Sequence, residues 1–408
     1  MNKPVTDLPL RFPTPLTADA PELEALFAHI ETGAAEREQR RILPFEALAL
    51  IRRARLGALR LRREDGGGGA SFRALFKVAI RLAAADANVA HILRNHFTVA
   101  EQYARIPPDA QSRRWQAAVL DGAIIGLANT EPGALTAGGA PFTTTLVPEG
   151  DGYRVSGVKY YSTGTLFADY VLLRTASENG DLASVILPVR REGIELVDDW
   201  DGAGQRLTGS GTTRFHAVRV EADEVIFDAP GRGYGLPYSN TQAQLFLTSV
   251  VAGIIRNIAN DAVKLVRGRS RSFYYAPVAK PSDDPILQQT IGQIAAFAYA
   301  AEAAVLTAAD ALDRTGVARE TGAPDAALAA EAALAAAQAK VVVDELALRS
   351  GGLLFDVGGA SATERRHNLD RHWRNARTIA SHNPSTYKAR AIGDLLVNAT
   401  PLPGKGFF

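Results

Sequence analysis

The sequence predicts an α+β protein made of three consecutive blocks, helical over residues 1–122, β over 123–228 and helical again over 229–408. Three observations point there. Apolar residues recur every three or four positions through "APELEALFAHIETGAAEREQRRILPFEALALIRRARLGAL" and again through residues 71–106. Between them and the C-terminal third lie short, β-branched, partly alternating stretches separated by Gly, Asp and Asn turns. Beyond residue 238 come long alanine-rich runs at 285–314 and 325–350, the composition of closely packed helices.

In the first block, "DGGGGA" (65–70) interrupts the helical pattern with a loop, and Pro107-Pro108 ends it. In the second, "GYRVSGVKYYSTG", "DYVLLRTAS", "LASVILPV" and "TTRFHAVRVEADEVIF" read as strands. In the third, the longest apolar stretch (245–263) is interrupted by Arg256 and two asparagines, so it reads as a core helix rather than a membrane span. The amino end lacks the basic-then-apolar pattern of a signal peptide, which suits a cytoplasmic enzyme.

Composition narrows the chemistry. The 408 residues carry a net charge of +1, too little to steer the chain to nucleic acid or an anionic membrane. There are no cysteines, which excludes disulfides, thiolate nucleophiles and cysteine-ligated metals. No GxGxxG follows a strand, and GxxxxGK[ST], GxSxG and HExxH are missing. His367 and His372 are five apart, a poor metal spacing, so no metal is expected. Two loops carry polar chemistry. "GLANTEPGALTAGGAP" (126–141) offers amides and small hydroxyls for the edge of a planar ligand. "VKYYSTGT" (158–165) sets two aromatics beside two hydroxyls.

Taken in order, "DGGGGA", "LANTEPG", "GYRVSGVKYYSTGTLFADYVLLRT", "GQRLTGSGTTRFHAVRVEADEVI" and "GGLLFDVGGASATERRHNLDRHWRNAR" resemble the acyl-CoA dehydrogenase superfamily over nearly the whole chain. That resemblance implies an N-terminal helical domain (1–122), a central β-barrel or sandwich (123–228) and a C-terminal four-helix bundle (229–408). Dehydrogenation of an acyl thioester needs a carboxylate base. At one family position for it this chain has His382, in "SHNP"; on the helix carrying the other there is no acid before Asp261.

"AAADANVAHILRNHF", "VDDWDGAGQRLTGSGTTRFHAVRVEADEVI" and "DRHWRNARTIASHNPSTYKARAIGD" instead resemble the flavin monooxygenases of this fold, the dibenzothiophene and sulfur-acquisition group. The resemblance implies reduced flavin, FMN with FAD as the alternative, delivered by an NAD(P)H-dependent reductase. Its C4a-hydroperoxide would oxygenate sulfur or nitrogen of a small organic substrate, with O₂ as co-substrate, in a homotetramer. Carried over by position, His96, His382, Thr163 and Asn129 are expected to serve the reaction. Asn129, Thr130, Tyr161, Ser162, Thr163 and Trp200 are expected around the flavin ring. Arg267, Arg269 and Arg271, with Gly358, Gly359 and Ser361, are expected near its phosphate. Arg377 and Lys388 are read as supporting or intersubunit residues. Two rival readings are a flavin dehydrogenase or oxidase with another base, and a degenerate flavin-binding homologue without turnover.

Overall fold

The computed structural model describes residues 12, 14–106, 109–133, 141–230, 233–236, 238–321, 325–404 and 408; the proline pair at 107–108 and most of the loop after Gly133 lie outside them. The first block folds into α1 (Glu22–Glu31), α2 (Ala34–Arg40), α3 (Phe45–Arg53), α4 (Phe72–Ala85), α5 (Ala87–Val99) and α6 (Ala110–Leu120). The periodicity over 71–106 suggests one long helix, yet the chain breaks it at Asp86. Asp86 adopts an extended backbone, and its carboxylate accepts from the amides of Asn88 and Val89 and from the Arg37 guanidinium. An N-cap of this kind satisfies two of the amides a new helix leaves open. The resulting corner aims α5 across the middle of the molecule. The "DGGGGA" segment is a tight loop: its amides reach Ala58, Leu61 and Leu59 carbonyls, and a side chain at Gly67 would strike Leu61.

The second block is an eight-stranded sheet: β1 (Ile125–Ala128), β2 (Thr145–Glu149), β3 (Gly152–Lys159), β4 (Tyr170–Ser177), β5 (Leu182–Pro188), β6 (Ile194–Leu196), β7 (Thr213–Glu221) and β8 (Val225–Phe227). The order is β6-β7-β3-β2-β4-β5-β8, with β1 joining β4 in parallel off that path. Leu146, Val155, Val171, Leu173, Val185, Phe215 and Val218 form its core. A second apolar seam, built from Val99, Tyr103, Trp115, Ile125, Leu172 and Ile186, fixes the sheet to the ends of α5 and α6.

The third block consists of α7 (Thr241–Gly268), α8 (Pro285–Glu320), α9 (Ala326–Gly358), α10 (Arg371–Ser381) and α11 (Ser385–Asn398). Its core is continuous with that of the first block: Phe76, Phe97, Phe246, Ile254, Val305 and Val343 belong to one cluster. The first turns of α7 are buried on all sides, as a helix wrapped by α4, α5 and α9 must be. Helices α8 and α9 are long and apolar enough to cross a membrane, and they pack on one another and on α7. Helix α5 packs on α7 and on β1, and α10 packs on α7, which brings these three helices together.

Candidate active site

Two of the expected side chains lie on the rim of the sheet. Tyr161 and Thr163 follow β3, where Tyr161 takes a positive φ of 63° and Gly164 one of 81°. For a tyrosine that backbone is strained, and such strain collects at sites that need a side chain aimed. Tyr161 projects into solvent and meets the Trp200 ring edge-on, centroids 6.0 Å apart. Trp200 is held by its indole N–H, which donates to the Gln205 carbonyl at 2.8 Å. Thr130 lies alongside: its carbonyl accepts from the Tyr160 amide at 2.8 Å, and Asn129 precedes it at the end of β1.

A chain of hydroxyls fixes the protons here. Thr208 Oγ1 donates to the Gln205 carbonyl at 2.9 Å. Its oxygen is therefore the acceptor for Ser210 Oγ at 2.7 Å, and Ser210 Oγ in turn accepts from Thr163 Oγ1, also at 2.7 Å. Thr163 gives its proton inward and keeps acceptor capacity for whatever lies in front of it. Ser162 Oγ, next to it, is buried with no hydrogen-bond partner among the described residues.

Helix α5 supplies the opposite wall, and there the structure corrects the expectation for His96. Its ring is fully buried; Nδ1 accepts from the Ile125 amide at 3.1 Å and Nε2–H donates to the Gly57 carbonyl at 3.0 Å. Backbone groups leave no choice of direction, so both nitrogens are spent and His96 is a neutral pin between the first block and β1. Burial pulls its pKa down to about 4. The histidine facing the site is His91. Its Nδ1 lies 3.0 Å from Gln205 Oε1, an acceptor, so Nδ1 carries the proton and Nε2 keeps its lone pair. Burial, then the nearby Arg94, lowers its pKa to about 4. On the same face, Asn95 Nδ2 donates to the Thr163 carbonyl at 2.8 Å, tying α5 to the strand rim.

His382 closes the third side, as the residue that ends α10. By surface area its side chain is exposed, at the turn between α10 and α11. Burial first, then Arg94, His91, Lys340 and Lys388, hold its pKa well below that of a free imidazole. It is neutral at pH 7. Next to it, Asn383 Nδ2 donates to Gln244 Oε1 at 3.3 Å. Asn375 anchors α10 by accepting from the Gln205 amide at 2.6 Å.

The two carboxylates nearest in sequence to a base role are occupied. Glu131 accepts from the Thr143 amide and hydroxyl at 2.7 Å, the Thr144 amide at 2.9 Å and the buried Lys159 ammonium at 2.8 Å. Burial pushes its pKa up, but these donors outweigh it and hold the group at about 2. Asp261 accepts from Arg371 at 2.7 Å and from His372 at 2.8 Å. Arg371 supplies the positive charge, so His372 stays neutral, lowered to about 4 chiefly by burial, and Asp261 stays ionised.

Comparison with known proteins gives this geometry its context. Residues 245–386 match the family described as acyl-CoA dehydrogenase, C-terminal domain. Dibenzothiophene monooxygenase of Mycolicibacterium goodii is 28% identical, with 87% of this chain and 88% of that one covered. The probable FMNH2-dependent monooxygenase SfnC of Pseudomonas putida is 29% identical, with 98% of each covered. The crystal structure of FMN-bound TdsC from Paenibacillus sp. A11-2 superposes with a TM-score of 0.86 at 28% identity, covering 94% of this chain and 98% of that one. Over most of its length the chain is similar to flavin monooxygenases with the acyl-CoA dehydrogenase fold.

The residues present in this monooxygenase fit a flavin ring. Thr163 offers an acceptor, Ser162 Oγ and Gln205 Nε2 are buried without hydrogen-bond partners among the described residues, and Tyr161 and Trp200 form an aromatic flank. The expected phosphate residues sit elsewhere. Arg269 donates to the Val357 carbonyl at 2.8 Å and lies against Gly359, whose φ of 64° a side chain would disfavour. Arg267, Arg271 and Ser361 are exposed. Gly358 is 18 residues along α9 from Lys340, roughly 27 Å at the helical rise, farther than one FMN spans. Arg269 and the Gly358–Gly359 turn therefore do not converge with Thr163 and His382 on one flavin within one chain.

Sequence reasoning missed His91, Arg94 and Gln205. His91 had a signal: it lies five residues before His96 in the same motif, on the face shared with Asn95.

Proposed function

We propose that this monooxygenase takes reduced FMN from a separate NAD(P)H-dependent reductase and oxygenates sulfur, or nitrogen, of a small organic substrate. For a thioether the balance is R₂S + O₂ + FMNH₂ → R₂SO + FMN + H₂O. The observation that carries the reading is that two neutral imidazoles, His382 and His91, close enough to act on one another, stand where a carboxylate base would be needed. Reduced FMN, when bound, supplies the electrons that let O₂ deliver one atom to substrate and the other to water. The hydroxyl chain ending at Thr163 Oγ1 suits that state, because its acceptor lone pair matches the N5–H that only reduced flavin carries. His91 Nε2 accepts and His382 exchanges a proton, so a neutral pair can move protons without adding charge to the recess. Asn129, Thr130, Tyr161, Ser162 and Trp200 would hold the ring edge and face.

We propose further that the cofactor site is completed by a neighbouring subunit in a homotetramer, with Arg269, Gly358 and Gly359 serving the neighbour's phosphate. The exposed apolar residues Tyr299 and Val317 on α8, and Leu396 and Val397 on α11, support such association. A cytoplasmic location belongs to the same reading.

The test is turnover of purified protein with chemically reduced FMN, O₂ and candidate sulfides or amines. Oxygenated product in near-equal yield to FMNH₂ consumed is expected. Release of hydrogen peroxide alone would refute the reading.

A further inference from the structure

The segment "GQRLTGS" (204–210) touches the strand rim, α5 and α10 at once, and Gln205 is the residue these three elements share. Its amide donates to Asn375 Oδ1 on α10 at 2.6 Å. Its carbonyl accepts from the Trp200 indole at 2.8 Å and from Thr208 Oγ1 at 2.9 Å, where the hydroxyl chain to Thr163 begins. Its side-chain Oε1 meets His91 Nδ1 on α5 at 3.0 Å. That is the side chain's one hydrogen bond among the described residues, since Nε2 has no partner. The neighbours hold the segment in place. The Leu207 amide donates to Asn88 Oδ1 on α5 at 3.1 Å, and a side chain at Gly204 would strike the Arg374 carbonyl on α10.

The backbone of Gln205 is strained. The residue is 1% exposed and takes a φ of 52°, a left-handed conformation that glycine and asparagine adopt far more readily than glutamine. Such strain costs on the order of 1–3 kcal/mol and persists only where the surroundings over-determine it. Glycine or asparagine at 205 would make the same backbone bonds with less strain. Neither would reach His91, because asparagine is one methylene shorter and glycine has no side chain. Glutamate would reach it, but would set a carboxylate against the imidazole. The charged and titratable groups that act on His91 are Arg94 from its own helix and His382 from the end of α10, and neither is an anion. Glutamine thus combines reach with neutrality at a position that otherwise disfavours it.

We propose that Gln205 is a positioning residue: its side-chain oxygen holds His91 in the Nδ1–H tautomer, keeps Nε2 an acceptor, and thereby governs how much of the O₂ consumed reaches substrate. The role in turnover rests on the monooxygenase reading. The tautomer does not, and it is measured without flavin, so the two can fail separately.

The tautomer is read from the ring ¹⁵N shifts of flavin-free protein labelled at histidine, with His91 assigned by its loss in His91→Gln. A proton on Nδ1 is expected. Gln205→Asn suits the left-handed backbone but falls short of His91. Its melting temperature is expected to hold or rise, His91 to lose its fixed tautomer, and product per FMNH₂ consumed to fall about fivefold or more, the equivalent of one lost hydrogen bond. Gln205→Glu is expected to keep the proton on Nδ1. Its carboxylate raises the His91 pKa from about 4, so coupling that is flat from about pH 8 to 6 in the unaltered protein should fall as pH drops through that range. A proton on Nε2 of His91 in the unaltered protein would overturn the proposal. So would a Gln205→Asn variant that couples normally, or one whose coupling falls only together with its melting temperature, as a merely structural role predicts. Oxygenated product missing from the unaltered protein, with the tautomer as expected, would strike the monooxygenase reading and leave the assignment of His91 standing.

Discussion

The two walls of the recess are built on opposite principles. On the strand side Glu131 has four donors, and Thr208, Ser210 and Thr163 pass their protons in one direction. On the helical side, Arg94 meets the neutral Ala243 carbonyl and Asn95 Oδ1, and His91 keeps a lone pair on Nε2. A matched network is rigid and can fix a cofactor's edge, whereas a buried cation held by neutral acceptors stays costly until negative charge approaches it. Helix α5 shows both in five residues, with His96 sealed by backbone and His91 left open.

The contrast can be broken on the strand side first. Glu131→Gln strands the Lys159 ammonium in the core, and the expected loss is about 3–5 kcal/mol of stability, seen as a lower denaturant midpoint. Little change would show that the network is not closed. Next, His96→Ala leaves the Ile125 amide and the Gly57 carbonyl unmet, on the order of 1–3 kcal/mol for each group. Its coupling of O₂ to product should be unchanged in the folded fraction, which peroxide and product assays would check. Thr163→Val removes one acceptor and should weaken reduced FMN by about 1 kcal/mol, roughly fivefold, while oxidised FMN is unaffected. Equal loss for both states, measured anaerobically and aerobically, would refute the assigned proton direction.

The smallest effect is in pH. His91, His96 and His372 are held at about 4 in the folded chain, against 6.5 when free. The unfolded chain then binds more protons between those values, so stability rises with pH across the window and is full above 6.5. Melting temperature should fall as pH drops from 6.5 toward 4, and His96→Gln should flatten the slope by about one proton.

The contrast also explains what the sequence conveyed. Helical and strand periodicity reported the blocks because burial of an apolar face leaves a regular trace. His382 and Thr163 drew notice as departures within motifs of known order, and their roles remain the proposal made above. His96 misled because a motif position says where a side chain starts, not whether backbone groups consume its nitrogens. Arg94 was invisible because one arginine among many has no local mark; only the fold shows that it is buried against the Ala243 carbonyl and Asn95 Oδ1. Asp86, which splits an apparently continuous helix, had a signal in its capping chemistry.

The most direct test of the account is the product-to-peroxide ratio of His382→Ala beside His96→Ala, with reduced FMN, O₂ and a thioether. The account predicts that the His382 variant releases mostly peroxide, its coupling down tenfold or more, while folded His96 variant couples like the unaltered protein. Unchanged coupling in His382→Ala, or collapse confined to His96→Ala, would contradict it.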